Sequence, residues 1–133
     1  MKTWIAAYLT AAVAMLVLDA LWLWRMSGVV YRPVIGDMMA AKPNLGAAAA
    51  FYLLYVAGLV AFGVMPGLAS GRWTTSLAWG AAFGLVAYGT YDLTNQATLR
   101  NWSTTLSVVD MAWGAVLSGA ASVAGYFAAS RFG

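Results

Sequence analysis

The sequence contains no cysteine and no histidine. Without cysteine there are no disulfides, no thiol nucleophile and no thiolate metal site. Without histidine, imidazole ligation of haem, zinc-binding histidine sets and Ser-His-Asp catalysis are excluded as well. Charge is scarce too: 8% of the 133 residues are charged, against 63% apolar. A water-soluble domain carries roughly a quarter of its residues charged. This chain has too little polar surface to face water, so its solvent is lipid. The few basic residues give a net charge of +3, but they are scattered singly and form no stripe for nucleic acid. No nucleic-acid partner, cofactor or resident metal is expected.

What is present is length in apolar runs. Met1 and Lys2 followed by an apolar stretch imitate a secretory signal. The stretch runs on for some twenty residues through Trp22 and Trp24 to Arg25, with no small-residue cleavage site. It therefore reads as a retained span. Three further runs can each cross a hydrocarbon core of about 30 Å. The expected spans are residues 3–24, 45–65, 75–94 and 105–128, in a single transmembrane domain. Asn44 is placed to cap the second helix and Ser103 or Thr104 the fourth, while Met65-Pro66-Gly67 is expected to stop the second. Trp4, Trp24, Trp73, Trp102 and Tyr126 fall near span ends, where interfacial aromatics belong. Gly80 and Gly84 form a GxxxG, and Gly114, Ser118 and Ser122 a second small-residue stripe, so these helices should pack closely. The fold class is all-α, an integral membrane four-helix bundle. Between spans one and two, Tyr31, Val34, Ile35, Met38 and Met39 recur at helical spacing, with Pro33 suited to a first turn. A short interfacial helix over 33–41 is expected there.

The acids are few and their placement is informative. Asp19 lies near the end of span one, Asp92 near the end of span three, and Asp110 about five residues into span four. Because span four runs back, all three sit at one level, roughly 5–10 Å inside one membrane face at 1.5 Å per residue. The fourth, Asp37, lies on the interfacial helix over that end. Trp22 follows Asp19 by three residues and Trp113 follows Asp110 by three; Tyr88 precedes Asp92 by four, and Asn95 follows it by three. If these faces point inward, Asp19, Trp22, Tyr88, Asp92, Asn95, Asp110 and Trp113 line one pocket, with Arg25 and Arg100 reaching in from the rim. A lone carboxylate near a helix end more often satisfies backbone or pairs with an arginine. Three from three helices, beside two indoles, point to a site.

The stretches YDLTNQATLRNW, VVDMAWG, LDALWL and PNLGAAAAFYLLYVAGLVAF resemble a widespread family of small bacterial integral membrane proteins, for which YDLTN and DxxWG are specific. The resemblance implies four transmembrane helices, a bacterial cytoplasmic membrane location and no established activity, with a lean towards lipid.

Three functions fit such a site. One is binding or transport of a small amphiphile or lipid-like molecule, its apolar part on the aromatics and its head on Asn95 and the carboxylates, with Asp19 or Asp92 exchanging protons. Membrane lipids are then partners, and transport calls for a homodimer, since four short helices are too thin to enclose a pathway. The second is a lipid-modifying enzyme using paired Asp as acid and base, or holding Mg²⁺ or Ca²⁺. The third is an accessory subunit of a membrane complex. The basic residues divide as Lys2, Arg72 and Arg131 against Arg25, Arg32, Lys42 and Arg100, which sets no orientation.

Overall fold

The computed structural model describes residues 1–132. Four helices follow one another: α1 (Lys2–Met38) and α2 (Leu45–Ser70), then α3 (Trp73–Thr98) and α4 (Thr104–Ala129). The described residues contain no strand.

The packing is inverted relative to a water-soluble bundle. Ser76, Asp92, Ser107, Asp110, Ser118 and Ser122 are buried, whereas Leu9, Val13, Leu16, Leu54, Phe62, Trp79, Val86, Val108 and Val116 face outward. Soluble monomers rarely expose contiguous apolar patches beyond a few hundred Å². A belt of large apolar side chains on all four helices is a surface for lipid. α1, α2 and α4 are long and apolar enough to cross a membrane. α3 matches α2 and α4 in length, at 26 residues, but carries Asp92, Thr94, Asn95, Gln96 and Thr98 towards one end. Its outward face stays apolar through Leu77, Leu85, Val86 and Leu93.

The caps read from sequence are in place. Asn44 Oδ1 accepts from the Ala47 N–H at 3.0 Å, and Ser103 Oγ accepts from the Leu106 N–H at 3.0 Å. Two local expectations change. The tripeptide Met65-Pro66-Gly67 does not stop the second helix, which runs on to Ser70. A π-helical turn over Val60–Val64 precedes it, so Pro66 enters as the first turn of a fresh α-segment, where its missing N–H costs little. The actual stop is Gly71, at φ +71°, a left-handed conformation that glycine adopts without strain. The helical turns expected over 33–41 run from Arg32 to Met38. They continue α1 through a π-helical segment, Ser27–Tyr31, rather than standing apart.

The most extensive helix–helix contact is between α3 and α4. A Cβ on Gly80 would meet Ser118 O at 2.9 Å and Ser122 Cβ at 2.5 Å. A Cβ on Gly84 would collide with the Gly114 carbonyl, and one on Gly114 with the Tyr88 ring. At Gly84 glycine is required because the Gly114 backbone, which cannot swing aside, occupies the space. Gly84→Val should therefore destabilise the bundle by roughly 1–3 kcal/mol or more, the range for overpacking. Gly28→Ala, with nothing within 4 Å of its Cβ, should stay within about 0.5 kcal/mol. Thermal unfolding of both variants in detergent checks the contrast.

Candidate functional site

Each chemically active side chain is positioned by helical spacing. On α1, Asp19 and Trp22 are one turn apart; on α4, Asp110 and Trp113 are likewise; on α3, Tyr88 and Asp92 are four residues apart. The α3–α4 contact fixes their register. Tyr88 lies over Gly114, and Ser107 Oγ, on α4, donates to the Asp92 backbone carbonyl at 3.3 Å.

The acids and indoles pair across helices rather than along them. Trp113 Nε1 donates to Asp19 Oδ1 at 3.1 Å. The Trp113 ring stacks on Trp22 with centroids 4.4 Å apart and planes 5° apart. Trp22 Nε1 in turn donates to the Tyr31 hydroxyl at 2.9 Å, and that hydroxyl donates to Asp110 Oδ1. A phenol offers one donor and accepts at its lone pairs, so Tyr31 is a bridge used in both directions. Asp110 is also the ionisable neighbour of Asp92. The sequence Asp19, Trp113, Trp22, Tyr31, Asp110, Asp92 thus forms one connected group drawn from α1, α3 and α4.

Beside this group lies a cleft of about 330 Å³. Asp19 and Asp110 supply its carboxyl groups, and Tyr31, Tyr55, Tyr88, Tyr91 and Trp113 its rings. Tyr55 is pinned by a 2.6 Å hydrogen bond with Ser118 Oγ and packs edge-on to Tyr88, centroids 6.2 Å apart. Leu23, Phe51 and Ala87 complete the lining; Leu23, Phe51 and Tyr91 remain 47%, 62% and 52% exposed, so the cleft opens sideways onto the lipid-facing surface. Phe51 ends the first two turns of α2, residues 45–51, all of which are exposed; from Tyr52, whose hydroxyl donates to the Ala12 carbonyl, the helix joins the bundle.

The residues singled out by sequence are distributed as follows. Asp19, Tyr88, Asp110 and Trp113 line the cleft, and Trp22 supports it from behind by stacking on Trp113. Asp92 is 0% exposed, and its carboxyl group meets that of Asp110 with no other hydrogen-bond partner; it backs Asp110 and is not part of the cleft wall. Asn95 faces a second groove of about 370 Å³ with Ile35, Met38 and Trp102, which touches the first through Tyr91. Arg25 and Arg100 are exposed, and the donors that reach the carboxylates are the indole and phenol just described. No group of three carboxylates able to hold a metal ion occurs among the described residues. Tyr31, Phe51, Tyr55 and Tyr91 were not visible as site residues. Tyr31 does belong to the apolar pattern ahead of Pro33, but its partner Asp110 is 79 positions away.

Tyr31→Phe should strand the Trp22 N–H and one Asp110 oxygen, at a cost of roughly 1–3 kcal/mol. Adding Trp22→Phe should cost less than the sum of the two single changes, because both act through one hydroxyl. Thermal unfolding followed by circular dichroism measures this, and strict additivity would dissolve the bridge.

No curated protein and no solved structure matches the chain. A family profile described as "Predicted membrane protein (DUF2177)" matches residues 4–127. The match runs from the first turn of α1 to the last turn of α4 and includes every residue of the cleft. The chain belongs to the DUF2177 family of predicted membrane proteins.

Proposed function

We propose that the chain binds a small amphiphile or lipid-like molecule at the cleft, within a bacterial cytoplasmic membrane. The observation that carries this reading is the cleft's composition and opening. Apolar and aromatic walls with a few convergent polar groups are the usual makeup of a small-molecule site, and the open side faces where acyl chains would be. The YDLTN and DxxWG elements supply Asp92 and, with it, Asp110 and Trp113, so the most distinctive stretches of the sequence meet at the same place. The apolar part of the ligand lies along Phe51, Tyr55 and Tyr91, and the head reaches Asp19 and Asp110. Transport, as distinct from binding, would need a second copy of the chain to complete a path.

Asp92→Asn tests the site without changing its volume. Asn keeps the size and gains a donor opposite Asp110, so the bundle should melt within a few degrees of wild type. Affinity for a single-chain amphiphile, read by tryptophan fluorescence in nanodiscs, should fall about tenfold, or 1.4 kcal/mol. Trp113→Phe should remove most of the fluorescence response. A lowered melting temperature with unchanged affinity would make Asp92 a structural acid.

A further inference from the structure

The cleft is charged with one sign only. Asp19 and Asp110 stand in its wall, with Asp92 directly behind. The hydrogen bonds they receive come from neutral groups, the Trp113 indole and the Tyr31 phenol. Asp92, fully buried, meets only the Asp110 carboxyl group. The basic residues of this end, Arg25, Arg32, Lys42 and Arg100, are all exposed. Carboxyl groups withdrawn from water either take up a proton or are paired with a cation, and here the protein supplies no cation, which leaves that role to a ligand.

The walls narrow what can provide it. Tyr31, Tyr55, Tyr88, Tyr91 and Trp113 surround the space in front of the acids. Ring faces attract organic cations through their quadrupole, most strongly where water is excluded. An anionic head would meet carboxylates from two helices. A bare divalent ion would find no group of three ligands and would leave the rings unused. A cavity of about 330 Å³ lies at the small end of ligand sites, enough for a compact head and the first part of a chain.

We propose that the head group bound in this cleft is an alkylammonium, a protonated or quaternary amine, held between the Asp19 and Asp110 carboxylates and the aromatic wall. The proposal rests on the reading of the cleft as an amphiphile site and adds its charge. Two sources share this chemistry, a single-chain amine and an amine-bearing phospholipid.

The test uses the full chain in nanodiscs of phosphatidylglycerol, with binding read by tryptophan fluorescence. The probes are dodecyltrimethylammonium, dodecyl maltoside and dodecyl sulfate, with the signal from empty nanodiscs subtracted. A further arm adds phosphatidylethanolamine to the bilayer and asks whether it competes with the ammonium probe. The ammonium should bind at least tenfold tighter than the neutral probe and the sulfate should bind weakest. In Asp19→Asn and in Asp110→Asn that preference should collapse towards unity. Asp19, half-buried and on a different helix, serves as the second variant if Asp110→Asn fails to fold. Competition by phosphatidylethanolamine would identify the phospholipid as a source, and its absence would favour the single-chain amine; either supports the ammonium head. Equal binding of all three probes would overturn the charge assignment while leaving the amphiphile site standing. No saturable binding of any probe would overturn both.

Discussion

Everything at the site depends on how closely α3 and α4 approach. Gly84 lies against the carbonyl of Gly114, and Gly80 lies between Ser118 and Ser122. Because residues four apart share a helix face, this contact dictates what comes next along the same stripe. One turn on from Gly84, Tyr88 covers Gly114; one turn further, Asp92 reaches Ser107 and Asp110. Helix association in lipid gains nothing from hiding apolar surface, so close backbone approach and polar contacts must supply it. The glycines thus set both the stability and the register of the acids. A larger residue at position 84 would displace a stripe of side chains as well as opening a gap.

Polar groups elsewhere on these helices are silenced locally. Thr90 and Thr98 donate to the carbonyls of Val86 and Thr94, each at 2.8 Å, and Thr94 does the same to Thr90. Gln96 ties α3 to the start of α4 through Thr104 Oγ1 at 2.9 Å, which helps close a turn in which Asn101 takes φ +65°. Asn tolerates that left-handed conformation better than most residues. Three buried groups lie outside this economy, the Gln96 carbonyl oxygen, the Ser122 hydroxyl and the Asp92 carboxyl. Backbone-directed threonines hide polarity from lipid, whereas the Asp92 carboxyl is kept inside against that of Asp110.

Much of the fold was legible because it follows from spacing alone. Apolar run length located the helices, Asn44 and Ser103 marked their starts, and the Gly80/Gly84 and Gly114/Ser118/Ser122 stripes identified the most extensive interface. Depth counting also placed Asp19, Asp92 and Asp110 at one level. What spacing could not reveal was direction around the helix axis and reach across the bundle. Each indole was assigned to the acid on its own helix, yet the longer reach of the ring takes Trp113 to Asp19 and Trp22 to Tyr31. The π-helical turns escaped for a related reason. Val60–Val64 and Ser27–Tyr31 have no local sequence marker, since an i→i+5 turn is chosen by what surrounds it. Pro66 looked like a terminator because the wider turn before it was not foreseeable.

If the cleft takes an amphiphile as proposed, its sideways opening also sets how it fills. Leu23, Phe51 and Tyr91 form its threshold on the lipid-facing surface, so a molecule arriving there has already left water. Its chemical potential is then set by its mole fraction in the surrounding leaflet, and its aqueous concentration matters only through partitioning. A weakly soluble compound can saturate such a site while almost none of it is dissolved. Occupancy would follow membrane composition, and a change in the bilayer, with no change in the cell's water, would be enough to fill or empty the cleft.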